Sequence, residues 1–170
     1  EVYSAISTYY AGLEKHDSAM KYMVMAEKSA YKDIPGRREF ILSDVYNNMG
    51  YIAIAKGDYV IATQYLEKAL EKYRITGGQE GASSAYISLA SVYYNEAFLL
   101  RDGDPQKRRK LLVSKCLYDS AQAIAHTHYL TNQMSVIYKY KPSVFYQLGE
   151  KDSAYLYLSK YVKLSDSLLS

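Results

Sequence analysis

Cysteine, tryptophan, proline and glycine are all scarce in this sequence of 170 residues. A single cysteine excludes an intrachain disulfide framework. Three prolines and nine glycines are too few for the many turns of a β-sandwich. No apolar run approaches the length of roughly 18 residues that a transmembrane helix needs. Together these absences favour a helical protein with no membrane span in this sequence.

Tyrosine, in contrast, is abundant. It accounts for 21 residues, while phenylalanine accounts for three. The hydrophobic share of 49% includes these tyrosines. The core must therefore be built partly from aromatic rings that carry a polar hydroxyl.

The positive charge of the chain is concentrated in one segment. The net charge is +3, yet six cations and two aspartates between residues 101 and 115 give that segment alone +4, which leaves −1 for the rest. A nucleic-acid interface would need a basic face over the whole domain, so we expect no nucleic acid to bind. We expect the 101–115 segment to form a solvated loop and the first turn of a helix. A contact of its cations with phosphate or with an acidic partner stays open. The cations are Arg101, Lys107, Arg108, Arg109, Lys110 and Lys115.

A spaced pattern of large and small residues recurs four times along the chain. Its first half opens at Tyr3, Tyr46, Tyr86 and Tyr138. Its second half opens at Ala19, Ala62, Ser114 and Ala154. Positions three and four apart share one face of a helix, and a small residue there lets a neighbouring helix approach closely. The small positions of the first three units are Ser7, Gly50 and Ala90.

Turn signals separate these halves and place the helices. Gly57 and Gly149 are typical helix stops, and Asp58 can cap the helix that follows. Pro142 lies inside a helical pattern, where it predicts a kink or a break. The predicted helices span roughly 1–13, 16–32, 37–56, 58–75, 79–101, 105–126, 128–148 and 151–168.

The pattern resembles the tetratricopeptide repeat (TPR) family. The residues that carry the resemblance best are Tyr46, Met49, Gly50, Ala62, Leu66 and Ala69. The resemblance implies an all-α fold, a right-handed superhelical stack of about four helical hairpins, or α-solenoid. It implies one domain over 1–170 with units at 1–34, 37–76, 79–126 and 128–168, the third carrying an insertion near 102–109. Unit starts lie 43, 40 and 52 residues apart instead of the usual 34, which indicates irregular units with long helices.

A narrower resemblance is to the repeat regions of bacterial sensor and regulator proteins. It rests on Asp-Ser-Ala at 17–19, 119–121 and 152–154 and on the last helical segment. It implies the sensing region of a signalling or transcriptional regulator. The final apolar pair, Leu168 and Leu169, predicts a fragment of a longer protein. The cytoplasm and the periplasm both stay open as locations.

Catalytic and metal-binding constellations are missing from the pattern, so we expect a non-enzyme without cofactor or metal. His126 and His128 are two residues apart and point to different sides of a helix. Cys116 precedes His126 by ten residues, about 15 Å along a helix, too far for a shared ligand or a nucleophile pair. We expect Cys116 to be a buried small residue.

The resemblance also nominates a binding surface, because the first helix of each TPR unit lines the concave face. Asparagine side chains there can bond an extended peptide backbone, and tyrosine gives contact area at low entropic cost. A peptide or protein segment is therefore the expected partner. No clamp for a terminal carboxylate is predicted, since Ser4 and Thr8 stand where lysine and asparagine would be needed. The nominated residues are Asn47, Asn48, Tyr51, Ile87, Ser91, Tyr94, Asn95, Lys139 and Tyr146.

Two other functions stay open at this stage. The chain could be a structural oligomerisation or signal-relay segment without a peptide ligand of its own, forming a homo-oligomer through its terminal helices. RNA binding by a helical repeat is weaker, because such repeats are regular and have a more basic inner face.

Overall fold

The computed structural model describes residues 2–169, with side chains through residue 167. Over this range it is built from eight α-helices and contains no strand, which confirms the predicted all-α helical stack. The helices are α1 (Val2–Gly12), α2 (His16–Ala30), α3 (Pro35–Lys56), α4 (Tyr59–Thr76), α5 (Gln79–Phe98), α6 (Pro105–Thr127), α7 (Thr131–Leu148) and α8 (Lys151–Leu169). The predicted apolar pair Leu168 and Leu169 lies outside the described side chains.

The chain forms two compact parts. The N-terminal part ends at Ser88 and the C-terminal part begins at Leu89, so α5 contributes to both. In the N-terminal part, α1 packs on α2, α2 on α3 and α3 on α4. In the C-terminal part, α7 packs on both α6 and α8.

Helix ends follow the turn chemistry at most of the predicted positions. Gly57, Gly77 and Gly149 each follow a helix in the left-handed conformation, with φ of 79°, 73° and 84°. Glycine adopts this conformation without the steric cost that a Cβ brings. The predicted cap at Asp58 is wrong, because its side chain bonds no backbone amide and its Oδ2 lies 3.8 Å from Nζ of Lys56.

Four helix boundaries differ from the prediction by two or three residues. α2 ends at Ala30 instead of 32. α3 begins at Pro35, which suits the first turn because proline lacks the N–H that would be unpaired there. α5 ends at Phe98 instead of 101. α7 begins at Thr131 instead of 128, because Tyr129 has φ of 56° and turns the chain out of the helical path.

The predicted break at Pro142 is wrong. α7 runs from Thr131 to Leu148 with Pro142 inside it. The neighbours Lys141, Val144 and Phe145 are all buried against other helices. This packing holds the helix together where proline removes one backbone hydrogen bond.

The small residues of the repeat permit close helix contact, as predicted. A Cβ built on Gly50 would lie 2.5 Å from Cγ of Leu66, so only glycine fits where α3 crosses α4. At the equivalent position of α1, the buried Ser7 hydroxyl donates to the carbonyl of Ala19, 2.8 Å away on α2. A hydroxyl buried in this way needs such a partner, and the bond fixes the spacing of the two helices.

The C-terminal part uses the same pair of positions with the donor on the other helix. The buried Ser114 hydroxyl of α6 donates to the carbonyl of Ala90 on α5 over 2.7 Å. The repeat therefore uses the same pair of helix-contact positions in both parts and fills them with different side chains.

Tyrosines divide between core and surface. Tyr46 and Tyr118 are 4% and 2% exposed, as expected for packing residues, whereas Tyr3 is 40% exposed and packs less than predicted. Tyr73 is a core residue that the repeat pattern did not assign. Its hydroxyl donates to Oδ1 of Asp44 over 2.7 Å. Burial, and this bond to Asp44, raise the pKa of Tyr73 above its ordinary value.

Candidate functional site

An open groove of about 280 Å³ lies in the C-terminal part, between α7, α8 and Tyr94 of α5. Three of the nine nominated residues meet in it: Tyr94, Lys139 and Tyr146. We call it the aromatic groove. Its lining consists of Tyr94, Lys139, Pro142, Ser143, Tyr146, Gln147, Ala154 and Leu158.

The spacing along α7 explains why these side chains share one face. Lys139, Ser143 and Tyr146 follow one another at intervals of four and three residues, the spacing that aligns side chains along a helix. A second stripe on the same helix is buried, with Ile137 and Val144 at 0% and 1% exposure. One stripe of α7 therefore packs in the core, and another lines the aromatic groove.

The side chains of the aromatic groove combine aromatic rings with polar groups. Tyr146 is 62% exposed, and the Tyr94 ring is held by Phe98 with 5.3 Å between ring centroids. Lys139 is exposed and supplies the ammonium of the lining, while Gln147 supplies an amide that can donate and accept. Among the described residues, no carboxylate lines this groove. The arrangement can bury an apolar side chain between rings and bond the polar groups of an extended chain.

Behind the aromatic groove lies a buried ammonium. Lys141 is 0% exposed, and each of its three N–H groups has an acceptor. Its Nζ donates to Oδ1 of Asp119 at 2.6 Å, Oε1 of Gln122 at 2.9 Å and the Tyr157 hydroxyl at 3.1 Å. The Tyr157 ring also faces the ammonium, with 4.6 Å from Nζ to its centroid. We call Lys141, Asp119, Gln122 and Tyr157 the lysine network.

The lysine network joins the three helices of the C-terminal part that follow α5. Lys141 belongs to α7, Asp119 and Gln122 to α6, and Tyr157 to α8. Its members are next in sequence to two groove residues, since Pro142 follows Lys141 and Leu158 follows Tyr157. The network therefore sets the positions of two walls of the aromatic groove.

Sequence reasoning missed the lysine network. In the predicted fourth unit, Lys141 occupies a position where the TPR motif has leucine, and the motif alone gives no reason for a lysine there. The available signal was its phase: Ile137 and Val144, four residues before and three after it, belong to the buried stripe. A lysine in phase with such a stripe requires a buried acceptor for its charge.

Three more nominated residues lie on α3, in the N-terminal part. Asn47, Asn48 and Tyr51 occupy neighbouring positions on α3, and Tyr51 is 64% exposed. Oδ1 of Asn47 is enclosed and has no hydrogen-bond partner among the described residues. An enclosed acceptor without a donor is costly, so this amide is a polar group that a neighbouring donor would stabilise.

The last three nominated residues do not line the aromatic groove. Ile87 is only 9% exposed, so it has little surface to offer and serves as a core residue instead. The Ser91 hydroxyl lies 3.4 Å from the Tyr118 hydroxyl. Asn95 is half-buried on the same helix.

The remaining reactive side chains are scattered. Cys116 is exposed, so its expected burial is wrong. His126 and His128 are exposed as well. Within the described part of the chain, no three His, Cys, Asp or Glu side chains are grouped as a metal site would require. None of the described helices combines the length and apolar character needed to cross a membrane.

Comparisons with known proteins address the fold. No protein-family model and no curated protein matches the chain. Among solved structures, the chain is similar to the crystal structure of BtubC (BKLC) from P. vanneervenii, with a TM-score of 0.75 and 17% sequence identity. The match covers 99% of this chain and 64% of BtubC. At this identity the likeness shows the fold alone, an all-α helical stack.

Proposed function

We propose that this chain is a non-catalytic, TPR-like scaffold module that binds a peptide or protein segment in the aromatic groove. The observation that carries the proposal is the convergence of Tyr94, Lys139 and Tyr146 on one open groove. The module would serve as the sensing region of a bacterial signalling or transcriptional regulator.

The physical support is the kind of surface that the groove offers. Tyrosine supplies a large contact area at the entropic cost of few rotatable bonds, and its hydroxyl can still pair at the rim. Pro142 and Leu158 line the groove, and Leu158 is 47% exposed. An apolar side chain of a ligand can pack on them and remove their apolar surface from water. Lys139 can donate to a backbone carbonyl or a carboxylate.

A displayed library of random peptides, selected on this protein, tests the proposal. Peptides enriched on the parent protein are expected to be lost when the selection uses Tyr94→Ala/Tyr146→Ala. Circular dichroism and thermal unfolding serve to verify that the variant keeps its helices. Equal enrichment on parent and variant would contradict the assignment of the groove.

A second function, self-association through α8, is favoured by a different observation. Tyr155, Leu158 and Val162 follow one another at helical spacing and are 77%, 47% and 55% exposed. An apolar stripe of this kind is a common docking surface. We propose it as the alternative function, a structural oligomerisation or signal-relay segment. Light scattering over a concentration series tests it: association that Tyr155→Glu/Val162→Glu abolishes supports it, and a monomer throughout contradicts it.

A further inference from the structure

The cations of the 101–115 segment fall into two classes, the paired lysines and the unpaired arginines. Lys107 pairs with Asp102 at 2.6 Å. Lys110 pairs with Glu96 at 2.8 Å and Lys115 with Glu150 at 2.7 Å. Arg101, Arg108 and Arg109 are exposed, and no carboxylate of the described residues lies within ion-pair distance of them.

The unpaired class is the one suited to recognition. A guanidinium presents a rigid planar fork of donors that matches a carboxylate, whereas an ammonium is a compact point charge. The six cations face four carboxylates, Asp102, Asp104, Glu96 and Glu150, which leaves a local charge of +2.

One of these arginines lines a second cavity, of about 320 Å³, between the α5–α6 turn, the start of α6 and the end of α7. We call it the turn cavity. Two carboxylates also line it, but both are already engaged: Asp102 with Lys107, and Asp104 with the backbone N–H of Gln106 at 2.8 Å. Arg108 is therefore the charged group of the turn cavity that has no partner.

The turn cavity adjoins the aromatic groove. Gln147 lines both of them. Phe98 contacts a residue of each, since its ring packs on Tyr94 of the aromatic groove and lies 5.8 Å from Nζ of Lys107 of the turn cavity. An extended chain advances about 3.3 Å per residue, so a few residues carry a ligand from one cavity past Gln147 into the other.

We propose that the ligand is an acidic protein segment. An aromatic or aliphatic side chain occupies the aromatic groove, and Asp or Glu residues a few positions away pair with Arg108 and the neighbouring Arg109. This inference rests on the proposed function and names the chemistry of its ligand. Phe98, whose ring packs on Tyr94, is 57% exposed and extends the apolar contact.

A nucleic acid fits the same surface less well. Single strands need a groove whose cations follow the phosphate backbone. Here the local excess is only +2, and Asp102 and Asp104 line the turn cavity. A protein segment can place its few carboxylates at the arginines and leave those aspartates uncontacted.

The test is a peptide selection compared between matched charge-reversal variants. Random displayed peptides are selected on the parent, on Arg108→Glu/Arg109→Glu and on Lys151→Glu/Lys163→Glu. The control changes the charge by the same amount at two exposed lysines of α8. All four side chains are exposed, and circular dichroism verifies folding of each variant.

We expect Asp and Glu to be enriched a few positions away from an apolar residue on the parent and on the lysine control, and to lose that enrichment on the arginine variant. Affinity of one enriched peptide should fall about tenfold or more with the arginine variant, as for loss of a charge-assisted pair. Equal acidic enrichment on all three proteins would overturn the inference. Fluorescein-labelled oligo-dT that binds the parent, but not the arginine variant, would overturn it in favour of nucleic acid.

The experiment distinguishes an error in the acidic ligand from an error in the aromatic groove as the binding site. Peptides whose binding depends on Tyr146 but that show no enrichment of Asp or Glu would support the aromatic groove as the binding site and contradict an acidic ligand. A selection that enriches no peptide at all would remove both.

Discussion

Nζ of Lys141 lies 2.6 Å from Oδ1 of Asp119, with the lysine side chain 0% and the aspartate 57% exposed. The two ends of this ion pair are therefore solvated very differently. The lysine depends on its three acceptors for stability as a cation, whereas the aspartate can be solvated without its partner. The consequences of removing either residue differ accordingly.

We expect Lys141→Met to be nearly neutral or stabilising. Methionine fills a similar volume without a charge to desolvate, and replacing buried ions by apolar groups often changes stability by about 0 to +4 kcal/mol. Asp119→Ala should instead cost about 1–3 kcal/mol, because the ammonium stays enclosed with one acceptor fewer. Urea unfolding of the two variants measures the difference. A larger loss for Lys141→Met than for Asp119→Ala would contradict this account.

The contact between Gly50 and Leu66 leads to a second prediction. Gly50→Ala should destabilise the N-terminal part by about 1–3 kcal/mol, because the added methyl overlaps the Leu66 side chain. Gly12→Ala is the matched control, since nothing lies within 4 Å of a Cβ built there and its φ is not in the left-handed region. Thermal unfolding of both variants measures the effect.

A double variant separates overpacking from a general effect on the helix. Leu66→Ala creates space at the point where the new methyl arrives, so the cost of Gly50→Ala should be smaller in its presence. Strict additivity of the two free energies, or an equal cost for Gly12→Ala, would contradict the assigned clash.

Tyr73 gives a prediction for alkaline pH. Its pKa is raised in the folded protein by burial and by the bond to Asp44, relative to its ordinary value of 10.0. The native state therefore keeps the phenol proton where the unfolded chain has lost it. The stabilisation is complete below pH 10 and is lost progressively above it, by up to about 1.4 kcal/mol per pH unit for one such group.

Comparison with Tyr73→Phe isolates this contribution. The free energy of unfolding of the parent should fall relative to that of the variant as the pH rises from about 9.5 to 11.5. Both proteins share every other titrating group, so their difference reports on this phenol. A difference that stays constant over this range would contradict the raised pKa.

Cys116 is predicted to react freely in the native protein, because it is exposed. Labelling with a thiol reagent such as DTNB should proceed at a rate close to that of the chain unfolded in guanidinium chloride. The free thiol supports no disulfide, so labelling should leave the thermal midpoint unchanged within about 1 °C. Native-state labelling that is slower by about a hundredfold would show a protected cysteine instead.

Much of the fold could be predicted from the sequence because the same spacing of large and small residues recurs. Gly50 and Ser7 are predictable contact positions, because a helix cannot approach closely over a large side chain. The glycine stops placed the helix ends at Gly57 and Gly149 for a similarly local reason. The lining of the aromatic groove is predictable only in part, from the helical phase of residues such as Tyr146.

What escaped prediction depends on contacts between distant residues. The partners of Lys141 come from two other helices, at separations of 16 to 22 residues along the chain. Tyr73 is buried because Gly81 leaves room for its ring, and the repeat pattern contains neither residue. Pro142 breaks an isolated helix but not one held by its buried neighbours. Local patterns do not encode these tertiary effects.

The most direct measurement of the central claim is calorimetric titration of a selected peptide into three proteins: the parent, Tyr146→Ala and Tyr155→Ala. Both tyrosines are exposed, but only Tyr146 lines the aromatic groove. The account predicts that Tyr146→Ala weakens binding by about tenfold or more, as expected for truncating an aromatic contact residue, while Tyr155→Ala leaves it unchanged. Equal affinity for the parent and Tyr146→Ala, or a loss confined to Tyr155→Ala, would contradict it.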